Sequence, residues 1–291
     1  MSSPVSRRVA RVVRPQPVTE GAGVHLIRSI GTPELDNLDP FLLLDNFDSA
    51  LPSDYKAGFP YHPHRGIETV TFVRKGEVRH RDSLGHSGSI GAGDIQWMTS
   101  GSGILHEEMP QVRPEGISGL QLWLNLPASE KMTKPRYRDL SADRLEEVET
   151  GEGARVRVIA GEAAGGRLTG PVDGLSVRPK FIDVTLPADS SFRETVEPGH
   201  TAFAYVEHGE MLFGPEKTRV DGPALVVFGD GDVIEVSAGD KGGNFLLAAA
   251  RPLHEPIARY GPFVMNTRSE IEQTLRDLRT GHFIRAEPRD A

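Results

Sequence analysis

Two histidines one residue apart, His62 and His64 in FPYHPHRGIE, and a histidine and a glutamate at the same spacing, His106 and Glu108 in GILHEEMP, are the side chains best suited to hold a metal ion. In an extended strand alternate side chains share a face, so His62 and His64 point together while Pro63 points away. Proline favours this geometry, because it pushes the preceding residue out of the helical region and has no N–H to give a ladder. The same alternation sets His106 beside Glu108 and turns Glu107 away. Three neutral imidazoles and one carboxylate, delivered from two strands, make a mononuclear site for a divalent first-row metal. Such a set leaves room for a substrate oxygen or O2, and Glu108 is placed to take the proton of a bound hydroxyl as general base.

Glu68, four residues after His64, is a rival carboxylate. It reaches the histidine face only if the strand runs unbroken through Arg65 and Gly66, and a glycine there invites a bulge. Glu108 is therefore preferred as the ligand, with Glu68 behind the ligands or at the barrel rim. His80 and His86 flank the turn HRDSLGHSG and read as solvent or turn residues; one of Gln96 and Trp97 faces the interior; His200, His208 and His254 are isolated and receive no chemistry.

The elements that must position these groups are strands. IETVTFV, DIQWM and LQLWLNL are short runs rich in β-branched and aromatic residues, separated by Gly-, Pro- or Asp-bearing turns, and 32 glycines with 22 prolines leave little room for long helices. The class is all-β, built of barrels. The pattern also repeats: AGDIQWMTSG (92–101) resembles DGDVIEVSAG (230–239), and ETVTFVRKGE (68–77) lies over TAFAYVEHGE (201–210), which predicts two tandem copies of one barrel. On that alignment His62 and His64 fall on Thr195 and Glu197, and His106 and Glu108 on Asn244 and Leu246, so the metal belongs to the first copy and the second is structural. The expected domains are a metal-binding barrel at 1–140, a barrel lacking metal ligands at 156–266 and a helical tail at 267–291, with the acidic stretch 141–155 as linker. In the tail, Thr267 and Glu270 have capping-box spacing, Ile271, Leu275 and Leu278 share one face, and Gly281 stops the helix.

Bulk properties narrow the function. A formal charge of −8 over 291 residues gives no general reason to bind nucleic acid or an anionic membrane. With no cysteine, disulfides, thiolate nucleophiles and thiolate metal sites are removed, and any metal must be held by His, Asp or Glu. No run approaches the ~20 apolar residues of a membrane span and no apolar signal core opens the chain, which places the protein in the cytoplasm. The basic SRRVARVVR (6–14) reads as an edge strand or frayed start with solvated arginines.

The segments GFPYHPHRGIETVTFV, GDIQWMTSGSGILHEEMP and RPLHEPIARYGPFVMNT closely resemble the pirins, two-barrel members of the cupin superfamily, and the likeness runs from GAGVHLIRSIG (21–31) to the tail. The resemblance implies a bicupin whose first barrel holds one iron, or another divalent metal such as Ni, Mn, Co, Cu or Zn, at the positions of His62, His64, His106 and Glu108. It also implies that Glu68 is not a ligand. Some pirins resemble quercetin dioxygenases, which open a flavonol ring with O2. Others look like non-enzymatic transcription cofactors whose metal gates binding of a protein partner. The first implies a small aromatic enol and O2 as partners for this chain, and the second a protein.

Overall fold

A computed structural model describes residues 4–285, and expectations that fall on 1–3 and 286–291 lie outside it. Strand makes up 54% of the chain and helix 8%, which fixes the class as all-β. Within residues 16–142 one sheet runs in the order Arg136–Leu140, Ile95–Thr99, Ile67–Lys75, Ile117–Asn125, Phe41–Ser49, Val24–Ile30, Gln16–Glu20. A second sheet holds Phe59–His64, Ile104–Pro110, Val78–Asp82 and Ser87–Ile90 in that order. Val24, Val73, Val78, Ile90 and Ile117 meet in one core cluster. Each such side chain contributes about 1.5–3 kcal/mol by leaving water.

The second barrel follows the same plan. Its larger sheet runs Val9–Val13, Ala224–Phe228, Thr201–Phe213, Val233–Ala250, Lys180–Leu186, Arg155–Ala160, Glu147–Glu149, with Ser191–Thr195 and Thr218–Asp221 pairing beside it. The packing does not respect chain order at the ends, however. Residues 16–142 form a compact unit with 253–285, and residues 4–15 belong with 143–252. The expected boundaries at 1–140, 156–266 and 267–291 follow the chain, whereas edge pairing decides the packing. The basic N-terminal segment supplies Val9–Val13 to the edge of Ala224–Phe228, the place that Arg136–Leu140 takes beside Ile95–Thr99.

Strand register also corrects the internal alignment. Phe72 lies opposite Leu120 and Ile95, and Tyr205 lies opposite Leu246 and Leu225. The counterpart of Ile95–Thr99 is therefore Ala224–Phe228, not the run at 233–237. That run matches Ile104–Pro110: Glu108 faces His80, three residues past the Gly-Glu turn, and Val236 faces Phe213, three residues past the matching turn. The four proposed ligand positions then correspond to Glu194, Val196, Ile234 and Val236. Three of these are aliphatic and buried in the core, and Glu194 accepts hydrogen bonds from Lys180 Nζ at 2.6 Å and Ala164 N at 2.9 Å. The second barrel thus puts hydrocarbon at three of the four equivalent positions and an engaged carboxylate at the fourth.

The tail forms the helix Arg268–Thr280, with the Thr267–Glu270 capping box in place and Gly281 as a left-handed C-cap. Ile271 is buried with Phe263, Met265 and Phe283, and Leu275 and Leu278 pack against them. Replacing Thr267 with alanine is expected to cost ~1 kcal/mol, read as a fall of ~2–4 °C in the thermal midpoint. Among the described residues no helix is long and apolar enough to cross a membrane.

Candidate metal centre

Strand Phe59–His64 ends at a turn where Gly66 takes a φ of 81°. A Cβ there would stand 2.0 Å from the Val264 carbonyl oxygen, so only glycine fits. The chain restarts as Ile67–Lys75 in the other sheet, and alternation from His64 to Glu68 is broken. Glu68 is consequently not at the rim. It is buried at 2% exposure, its carboxylate accepts from Trp97 Nε1 at 3.1 Å and Thr99 Oγ1 at 2.7 Å, and burial raises its pKa. Both Gln96 and Trp97 are buried, Gln96 donating to Asp139 at 3.0 Å.

His62 lies directly opposite His106 in antiparallel register, and His64 opposite Ile104. The three imidazoles converge, with ring centroids 4.9 Å apart for His62 and His64, 4.4 Å for His62 and His106, and 5.0 Å for His64 and His106. One potential ligand atom from each lies within 4.8 Å of the others. His62 Nδ1 donates to the Pro60 carbonyl at 3.0 Å, which leaves its Nε2 lone pair for a metal. Both ring nitrogens of His106 and Nδ1 of His64 are buried without a hydrogen-bond partner. Such orphaned groups cost free energy unless something satisfies them. Burial pushes His106 down to about 4 and His64 well below its ordinary value, helped at His64 by the neighbouring histidines. Three converging imidazoles, with ring nitrogens of His64 and His106 left unpartnered, fit a divalent metal, and His62, His64 and His106 are the residues that would hold it.

Glu108 occupies a different position from the one alternation alone suggests. It shares the face of His106 on its own strand, but the pairing slips between them, so Glu108 stands opposite Phe59. Its carboxylate accepts from Gln121 Nε2 at 3.1 and 3.0 Å and from Thr71 Oγ1 at 3.1 Å. It lines the same cavity as His62 and His64, yet it is outside the group of three with mutually close ligand atoms.

His86 lies in the turn between Val78–Asp82 and Ser87–Ile90, as read, whereas His80 departs from its reading as a solvent or turn residue. His80 is buried and stacked on Tyr137 at 6.0 Å, and His86 Nδ1 is 2.7 Å from Asp82 Oδ2. The i, i+2 rule that found the metal pairs, applied to His80 and Asp82 in RHRD, would have placed both on the face of Glu108 and His106. The cavity beside the triad has a volume of about 500 Å³ and is lined by His62, His64, Glu108, Gln121, Trp123 and Arg259 among others. Phe59, Pro60 and Leu43 give it apolar walls, while Arg28, bonded twice to Asp45 at 2.7 Å, gives it a charged one. A larger cavity of about 990 Å³ in the other barrel borders Lys180, Glu194 and Val196, the last two at equivalent ligand positions.

Two barrels of one strand plan in a single chain, one carrying a histidine triad, define a bicupin. The pirin profile matches residues 23–124, and the pirin C-terminal cupin domain matches 181–284. The chain belongs to the pirin family. It is 42% identical over 268 residues to a Pseudomonas aeruginosa protein provisionally named as quercetin 2,3-dioxygenase, covering 91% of this chain and 94% of that one. It is 40% identical over 278 residues to human pirin, covering 94% and 93%. A crystal structure of quercetin 2,3-dioxygenase from Acinetobacter baumannii superposes with a TM-score of 0.85 at 33% identity, over 96% of this chain and 98% of that one.

Proposed function

We propose that the protein is a metal-dependent dioxygenase that opens the ring of a flavonol or similar aromatic enol with O2. The observation that carries this reading is the convergence of three imidazoles, two of them buried with ring nitrogens that lack hydrogen-bond partners, beside a cavity large enough for such a molecule. The names of the Pseudomonas and Acinetobacter relatives support the same chemistry. A divalent metal held by His62, His64 and His106, with iron the first choice and Glu108 completing the set, supplies Lewis acidity toward a substrate oxygen.

The chain's own residues do the rest. Phe59, Leu43 and Trp123 border the space an aromatic ring would enter, and they exclude water from one side of it. Glu108 accepts the hydroxyl proton once it comes within ~3 Å, trading a hydrogen bond from Gln121 or Thr71 for that proton. Aerobic incubation of iron-loaded protein with quercetin is expected to bleach the flavonol absorbance and release carbon monoxide. A protein with a full metal complement and no bleaching would sink the catalytic reading and leave that of a metal-gated protein-binding module.

A further inference from the structure

We infer that Gln121, its amide direction fixed by Trp123, is the positioning residue that aims the Glu108 carboxylate; this rests on the reading of Glu108 as ligand and base given above. Gln121 and Trp123 are two apart on strand Ile117–Asn125 and so share a face. The indole N–H of Trp123 can only donate. The Gln121 atom 3.1 Å from it is therefore Oε1, and the amide nitrogen is left to face Glu108. That nitrogen lies 3.1 and 3.0 Å from the two carboxylate oxygens and 3.2 Å from Thr71 Oγ1, which itself donates to Glu108. Turning the amide over would set N–H against N–H at the indole and oxygen against oxygen at the carboxylate. The direction of the amide is thus dictated, and among the described residues Gln121 and Thr71 are the hydrogen-bond donors to Glu108.

The same indole stands edge-on to His64, with ring centroids 5.1 Å apart and planes at 90°. Trp123 therefore touches one imidazole of the triad through its ring and governs the carboxylate through its N–H, although neither it nor Gln121 is in the ligand set. Gln121 holds Glu108 beside the triad with both carboxylate oxygens already engaged, which limits the rotations by which it can present an oxygen to the centre.

The test is a cobalt(II) titration of the metal-free full chain, reading both the dissociation constant and the visible d–d spectrum. Gln121→Met is expected to weaken cobalt binding by ~10-fold or more and shift the spectrum, as loss of a partner that orients a ligand does. Trp123→Phe keeps an aromatic ring against His64 while removing the N–H, and is expected to weaken binding in the same direction by less, which also serves if Gln121→Met folds poorly. In a Glu108→Gln background each change should alter affinity by no more than about twofold, because a residue acting through Glu108 has nothing left to act on. Undiminished losses in that background overturn the inference, as does wild-type affinity and spectrum in both single variants. A wild-type chain that binds no cobalt overturns this role and the metal reading together. Binding that is lost with His106→Ala and weakened by Glu108→Gln but indifferent to Gln121 and Trp123 sinks the positioning role alone.

Discussion

A His106→Ala protein purified with iron(II) present is expected to carry almost no metal, while His200→Ala carries as much as the wild type. Apparent binding free energies of four-ligand zinc sites, about 10–16 kcal/mol, assign ~3–4 kcal/mol to each ligand, so losing one imidazole weakens binding by ~10²–10³-fold. His106 is the ligand to remove, because it sits at 1% exposure with both ring nitrogens unpartnered. His200 is the control of matching burial: it is 6% exposed, in the other compact unit, with Nε2 3.2 Å from Glu197. Elemental analysis of the two proteins checks the result, and added metal should raise the thermal midpoint of the wild type and not of His106→Ala. Equal metal in both would mean that the triad is not the centre.

The contrast between those two histidines shows what sequence could and could not say. His62, His64 and His106 were legible because a period of two depends only on local backbone geometry, and the pairing is regular from His62 to His64 and from Ile104 to His106. The place of Glu108 was not, because the slip that sets it opposite Phe59 lies in the partner strand, and counting along one strand cannot reveal it. The internal repeat was legible as a repeat, since the Gly-Glu pairs at 76–77 and 209–210 stand at matching places in the register of the two barrels. Its second anchor misled, because Gly93-Asp94 leads into Ile95–Thr99 and Gly231-Asp232 into Val233–Ala250, strands at different places in their sheets, and the two turns resemble one another for local reasons. The exchange of terminal segments was hidden for the opposite reason: Val9–Val13 pairs with residues more than two hundred positions away, and an edge strand accepts any extended partner that satisfies its N–H and C=O groups.

Arg65→Met is expected to be the most destabilising single change outside the hydrophobic core, lowering stability by ~3–5 kcal/mol and the thermal midpoint by ~10 °C or more. Arg65 follows His64 directly and is 1% exposed. Its guanidinium donates to the Ser102 carbonyl at 2.7 Å, Thr274 Oγ1 at 3.1 Å, Asp277 Oδ2 at 2.8 Å and the Phe283 carbonyl at 3.1 Å, and lies 4.5 Å from the Phe283 ring centre. Removing it strands a buried Asp277 with Gln273 and Arg285 alone. Arg65→Lys should rescue little, since one ammonium cannot span four acceptors held in a planar fork. The pH dependence identifies the partner. Burial raises the Asp277 pKa, but hydrogen bonds from Arg65, Gln273 and Arg285 outweigh it and hold the carboxyl at about 2. An acid whose folded pKa is depressed stabilises the fold above its unfolded value near 3.8 and loses that contribution as pH falls toward 2. Wild-type unfolding free energy should therefore drop between about pH 4 and 2, and the drop should shrink in both Arg65→Met and Asp277→Asn. Because the turn after His64 is held by this pair, Arg65→Met should also release metal faster than the wild type, which a chelator-exchange rate measures. An unchanged rate in a folded variant would show that the triad keeps its geometry without the helix.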